Sequence, residues 1–142
     1  MAAPTLAERY SAQRKNEDLY TDFFTNLNSH PDSKQLVINR NESAVVRSIR
    51  NLILTNKYER RFQPTIGSRL QSFLFEPASH TVAKGIEEEI RYTIETFEPR
   101  ANLIDIKTSL IEERNTYVVS VTFALQDTSK PTTFSVVLNR VR

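Results

Sequence analysis

The chain has 142 residues with a formal net charge of +2, 39% apolar and 25% charged residues, two glycines, two histidines and no cysteine. That is long enough for one hydrophobic core, and the composition is that of an ordinary soluble globule. It excludes a disulfide framework, thiolate chemistry and a cysteine-held metal. So few glycines argue against a phosphate-cradling loop, and so mild a charge argues against nucleic acid as a partner. No apolar run approaches the ~20 residues of a membrane span, and the first thirty residues hold no signal-peptide core. His30 and His80 read as isolated loop residues, so no metal or other cofactor is implied.

In chain order, residues 1–18 read as a flexible polar arm and residues 19–142 as a single domain. Tyr20, Phe23, Phe24 and Leu27 fit a helical stripe, with an extended segment as the competitor. Residues 28–34 have loop composition, and Leu36-Val37-Ile38 suggests a short strand. Asn41 reads as an N-cap with Glu42 in the first turn. Val45, Val46, Ile49, Leu52 and Ile53 then follow at helical spacing to about Thr55-Asn56, leaving Arg47 and Arg50 on the outer face. Lys57 to Pro64 has no usable period and is expected to be an ordered loop. Gly67 permits a turn or a close approach. Leu70, Phe73 and Leu74 mark a short helix closed by Glu76-Pro77.

The longest pattern follows. Val82, Ile86, Ile90, Ile94 and Phe97 lay one apolar stripe down a helix, with Lys84, Glu87, Glu88, Arg91 and Glu95 opposite, spaced for i,i+4 ion pairs. Pro99 forces that helix to end at about Phe97. Glu98 and Arg100, two apart on backbone expected to be extended, then point to the same side of a rigid corner. The period switches to two, and three strands follow: Asn102–Glu112, Tyr117–Gln126 and Thr133–Val141. In the first, Ile104, Ile106 and Leu110 are expected to face inward. The second turns Tyr117, Val119, Val121, Phe123 and Leu125 to one face. The third turns in Phe134, Val136 and Leu138 after a loop over residues 127–132. Short connections favour an antiparallel meander with helices on its apolar face, an α+β fold.

The chemistry these residues offer is thin. No serine sits in a nucleophile elbow. Glu76 and Glu98 each precede a proline at a helix end, the one carboxylate pair to consider for glycoside hydrolysis, against capping or salt-bridging roles. Arg47, Arg50, Lys57, Arg60, Arg61 and Arg69 form a basic cluster that suits a solvated face and a protein interface better than phosphates. For Glu98 and Arg100 the plain reading is an exposed internal pair, worth roughly 0–1 kcal/mol. The sharper one is an arginine fork that docks a partner's carboxylate.

Three stretches carry a resemblance. They are Ala44-Val45-Val46-Arg47-Ser48-Ile49-Arg50-Asn51-Leu52-Ile53-Leu54-Thr55, then Glu59-Arg60-Arg61-Phe62-Gln63-Pro64-Thr65-Ile66-Gly67-Ser68-Arg69-Leu70 leading into Leu74-Phe75-Glu76, and last Phe97-Glu98-Pro99-Arg100. Together they resemble the baseplate wedge, or sheath initiator, family of contractile phage tails, which is shared with type VI secretion baseplates. Some members carry a lysozyme-like label. Lys57-Tyr58 departs from the family, which often has a glycine before the Glu-Arg pair. The resemblance implies an extended segment at Tyr20-Thr21-Asp22-Phe23, against the helical reading. It implies a structural rather than enzymatic role in the tail baseplate of a virion assembled in the host cytoplasm, with one copy per wedge around a six-fold axis; a type VI secretion baseplate component and a lysozyme-like glycoside hydrolase are the alternatives. Its implied partners are other baseplate wedge proteins and tail sheath subunits. Glu98, Pro99 and Arg100 become the scaffold-docking site, and the last strand (Thr133, Phe134, Ser135, Val136, Val137, Leu138 and Asn139) an edge that sheath strands join by β-augmentation.

Overall fold

A computed structural model describes residues 20–23, 34, 38–126 and 128–140. Residues 1–18, read above as an arm, lie outside the described residues, as do Phe24, Leu27, His30, Leu36 and Val37. The chain divides into two compact units, residues 1–44 and 45–142.

In the first unit, β1 (Thr21–Phe23) pairs antiparallel with β2 (Ile38–Arg40). The helical reading of Tyr20 to Phe23 is therefore corrected to a strand. The aromatic spacing alone favours a helix, because the strand's pairing partner lies fifteen to nineteen residues downstream, from Phe23↔Ile38 to Thr21↔Arg40. Asn41 stands where the N-cap was expected, but its φ of 49° is left-handed rather than the extended backbone of an ordinary cap. Its N–H donates to Tyr20 O at 2.7 Å and its Oδ1 accepts from Tyr20 N at 3.4 Å, tying it to β1.

Helix α1 (Glu42–Leu54) carries Glu42 in its first turn and buries Val45, Ile49, Leu52 and Ile53 at the predicted spacing. The segment after it is ordered by its own backbone. Ser68 N donates to Thr55 O at 2.9 Å and Lys57 N to Ser68 O at 3.1 Å, and between these strands of loop sits Gly67 at φ +126°. A Cβ on Gly67 would lie 2.6 Å from Thr55 O, so both the conformation and the close approach demand glycine. Helix α2 (Leu70–Phe75) ends at Glu76.

Helix α3 (His80–Phe97) starts two residues before its apolar stripe, since Ser79 Oγ caps it by accepting from Val82 N at 3.2 Å. His80 is thus the first helical residue, not a loop residue. Val82, Ile86, Ile90 and Ile94 are buried, and α3 packs on β3 on one side and α2 on the other. Burial of three isoleucines at 0% exposure makes this helix the centre of the core. The three i,i+4 ion pairs offered by its outer face are not closed; Glu87 turns to the sheet instead.

The sheet is a meander in the order β3 (Ala101–Ile111), β4 (Thr116–Leu125), β5 (Thr128–Asn139), all antiparallel. A 3-10 turn (Glu112–Arg114) and left-handed Asn115 join the first two. The central strand alternates as expected, with Tyr117, Val119, Val121, Phe123 and Leu125 buried. The fold is α+β, with helices against one face of a three-stranded sheet.

Two strand readings need correction. In β3 the register shifts between Leu103 and Asp105, so Ile104 is a bulge residue, 55% exposed, and Leu103 takes the inward place. In β5 the expected loop at residues 127–132 is largely strand, and Pro131 pairs with Ala124. Proline is tolerated there because β5 is an edge strand and its missing N–H points outward. That strand ends at Asn139; Val141 lies outside the described residues.

Candidate docking surfaces

The corner after α3 is a closed turn rather than extended backbone. Glu98 N donates to Ile94 O at 2.8 Å, and Ala101 N reaches back to Glu98 O at 3.2 Å. Gln126, just past β4, donates its side-chain amide to Pro99 O at 2.6 Å and its N–H to Arg100 O at 3.2 Å. Within this frame Arg100 grips Glu98 as a fork, Nε to Oε1 at 2.5 Å and Nη2 to Oε2 at 2.8 Å. Ser48 Oγ on α1 donates to the same Oε2 at 2.5 Å.

Glu98 is only 2% exposed, so the expectation of an exposed pair is corrected: this carboxylate is buried and triply bonded. Burial pushes its carboxyl up. The hydrogen bonds and charge of Arg100, with the Ser48 hydroxyl, outweigh that and hold it below the ordinary carboxylate value. Pro99 is exposed and Arg100 half-buried, so these two form the outer surface of the corner.

The two sheet edges differ. On β3, Thr108 N points away from β4 and donates to Glu87 Oε1 of α3 at 2.7 Å. That edge is blocked at Thr108 by a helix carboxylate and bent by the bulge at Ile104. On β5, Arg140 N bonds inward to Asn115 O at 3.1 Å, and Ser135 O accepts from the exposed Arg50 Nη2 at 3.4 Å from outside. In an antiparallel ladder this alternation puts the backbone groups of Thr133, Ser135, Val137 and Asn139 outward and those of Phe134, Val136 and Leu138 toward β4. Val136 and Leu138 are buried, Phe134 is half-buried with its ring edge-on to Phe123, and Val137 is 58% exposed. Among the described residues no fourth strand pairs with β5.

The basic cluster is dispersed by the fold. Arg47 is half-buried, against the expectation of an outer-face residue, and Arg50 lies over β5. Arg69 and Lys57 converge on Glu89, whose Oε1 lies 3.7 Å from Arg69 Nε and 3.6 Å from Lys57 Nζ and accepts from Arg69 N at 2.9 Å. Arg60 and Arg61 are left at the exposed tip of the 57–64 loop.

Three residues to which sequence reading gave no such role therefore organise these surfaces: Ser48 and Glu89, and Glu87, which was expected in an outer-face ion pair. Glu89 carried a usable signal, a charge three residues after Ile86 and seven after Val82, inside the apolar stripe. Ser48 and Glu87 carried none, because their partners lie fifty and twenty-one residues away.

Glu76 and Glu98 sit in different surroundings. Glu98 is engaged by the Arg100 fork and Ser48, which hold its carboxyl below the ordinary value, a poor setting for a general acid. Glu76 lines a separate groove of about 530 Å³ with Phe73, Val82, Gly85 and Glu88. Among the described residues no cluster of three metal-ligating side chains occurs, and no helix is long and apolar enough to cross a membrane.

Comparisons with known proteins agree with this architecture. Residues 39–130 match the family model of Baseplate wedge protein gp25. Over 86 residues the chain is 29% identical to Baseplate wedge protein gp25 of Enterobacteria phage T4, a match covering 58% of this chain and 65% of that protein, under two thirds of its length. Among solved structures, a Geobacter sulfurreducens protein described as a tail lysozyme superposes with a TM-score of 0.70 at 20% identity, covering 75% of this chain and 96% of the other. A chain of the anti-feeding prophage baseplate gives 0.59 at 21% identity, covering 87% of each chain. A chain of the type VI secretion baseplate complex gives 0.54 at 10%, covering 67% and 91%. At such identities these likenesses establish the fold alone. The family match spans well over half the chain and includes α1, the 57–70 loop and the corner: this chain belongs to the Baseplate wedge protein gp25 family.

Proposed function

We propose that the protein is a structural wedge component of a contractile-tail baseplate, one copy per wedge in a six-fold assembly, within a virion assembled in the host cytoplasm. It docks on other baseplate wedge proteins through the Glu98-Pro99-Arg100 corner and starts the sheath by offering β5 to sheath subunits. The observation that carries this reading is the asymmetry of the sheet. On β3 the outward Thr108 N–H is taken by Glu87 and a bulge bends the strand, whereas β5 turns out four backbone positions from Thr133 to Asn139, with one long contact from Arg50 at Ser135 O. An unblunted edge is a hazard unless it is used. Pro131 ends the usable stretch on one side, so an incoming strand has a defined length and register. The long Arg50 contact at 3.4 Å is one that such a strand would displace.

The corner suits docking because it is already rigid. The internal hydrogen bonds already made by Glu98, Pro99 and Arg100 mean that little order is lost on binding. The fork being internal, the partner meets Pro99 and the outer side of the guanidinium rather than a free carboxylate-arginine pair.

The experiment is Val137→Pro. It removes one outward N–H and no bond to β4, so the fold survives. Electron microscopy of assembled tails is expected to give baseplates with tubes but without sheath. Normal sheaths would exclude β5 as the acceptor.

A further inference from the structure

From the tip of the loop between α1 and α2 we infer that the protein carries a third docking element: a knob made by Phe62 between the guanidinium pair Arg60-Arg61 and Tyr58, which seats in an apolar pocket rimmed by carboxylates on another protein of the assembly. The inference rests on the baseplate reading above but concerns a surface separate from the corner and the sheet edge.

Phe62 is 98% exposed and Tyr58 83% exposed. Single exposed hydrophobes are common on any surface and prove nothing alone. These two differ because the backbone that presents them is held closed. Tyr58 N donates to Pro64 O at 2.9 Å, Glu59 N to Asn56 O at 3.2 Å, and Glu59 Oε2 accepts from Asn56 N at 2.8 Å. Below, Lys57 is fixed by Glu89 and lies 5.3 Å from the Tyr92 ring centroid. Tyr58 itself sits at φ +70°, a costly conformation for an aromatic residue, kept by the surrounding bonds. The loop therefore spends backbone strain and an ordered base on holding two aromatic rings in water.

The charges indicate the partner. Arg60 and Arg61 are exposed and, unlike Arg50, Lys57 and Arg69, have no hydrogen-bond or ion-pair partner within the described residues. Aromatic and arginine side chains are the usual anchors of protein interfaces, and a preformed loop loses little freedom on binding. Nucleic acid fits less well: stacking on single strands comes with a basic groove that follows many phosphates, and here two cations stand at a tip. A second copy also fits less well. Of the three carboxylates along the groove beside Phe73, Glu89 is already engaged by Lys57 and Arg69, and Lys84 stands on the same wall as Glu76 and Glu88.

The test places a photo-crosslinking phenylalanine analogue at position 62 of the full chain and irradiates assembled particles, with the protein's presence in purified baseplates checked first. Absence of the unmodified chain from baseplates would sink the assembly reading itself. With the chain present, the expected result is one crosslinked site on a different protein, in a segment with apolar residues flanked by Asp or Glu. Arg60→Glu with Arg61→Glu, or Phe62→Ala, introduced with the crosslinker moved to Tyr58, is expected to reduce that product about thirtyfold, the loss of one hot spot. The midpoint of thermal unfolding of Phe62→Ala is expected to stay unchanged. A crosslink to a second copy, to nucleic acid or to nothing would overturn the inference, as would a product insensitive to the arginine reversals.

Discussion

Ser48 on α1 and Glu98 at the end of α3 are fifty residues apart in the chain and 2.5 Å apart in space, joined by one hydrogen bond. That bond couples the first helix to the corner, and Arg100 completes the clasp from the other side. The corner is thus part of the core's polar wiring as well as the proposed docking surface, so substitutions there are expected to act on stability and, if the proposal holds, on assembly.

Arg100→Ala leaves the Glu98 carboxylate buried with Ser48 as its remaining side-chain partner. Removing one member of a fully buried pair costs about 3–5 kcal/mol. Arg100's own side chain is 37% exposed, and solvent screening lowers the expected loss to about 1–3 kcal/mol. Urea denaturation measures it. Under conditions where the variant is folded, its absence from baseplates supports docking through the guanidinium; normal incorporation would make Arg100 an internal staple only.

Acid weakens the same clasp. The folded-state value of Glu98 is depressed below 4.5, so the carboxylate contributes stability above the unfolded value, and that contribution fades as pH falls through the folded one. Glu98→Gln is expected to melt well below the native protein at pH 7, with the gap closing as the pH drops below about 4. Melting curves from pH 7 to 3 report it, and a gap independent of pH would mean that the carboxylate's charge is not what holds the corner.

Glu87→Ala opens the β3 edge. The Thr108 N–H loses an acceptor at 2.7 Å, an expected cost of about 1–2 kcal/mol for a bond to a charged group. Amide hydrogen exchange is the direct readout: Thr108 is expected to lose protection, while the buried Val119 and Val121 of β4 keep theirs. Equal exchange at Thr108 in both proteins would show that the carboxylate does not close this edge in solution.

Gly67→Ala meets two penalties at once, a φ of +126° and a Cβ placed 2.6 Å from Thr55 O. The atoms that Cβ would meet, Thr55 O with Asn56 C and O, are all backbone, which cannot swing aside. A loss above about 2 kcal/mol is expected, larger than for ordinary glycine substitutions at positive φ. Ile90→Ala in the centre of α3, at 0% exposure, is expected to cost about 2–5 kcal/mol and serves as the core reference in the same denaturation series.

The amino-acid sequence by itself determined the long helix, the three-stranded meander and the rigid corner, because each rests on short-range physics. The stripe from Val82 to Ile94 has the helical period, β4 alternates without interruption, and Pro99 stops a helix wherever it stands. The motif runs around Ser48, Gly67 and Glu98 pointed to the family for the same reason: they are local patterns. Only the tertiary structure decided that Thr21 to Phe23 pairs as a strand with Ile38 to Arg40, that Ile104 bulges out, that Pro131 lies in an edge strand and that Glu98 is buried. Each of those depends on a partner far along the chain: Ile38 to Arg40 for β1, the β4 register for Ile104 and Pro131, and Ser48 for Glu98. Periodicity reports which side of an element is apolar. It carries no information about which distant polar group will meet it, and the candidate surfaces of this protein are made by such meetings.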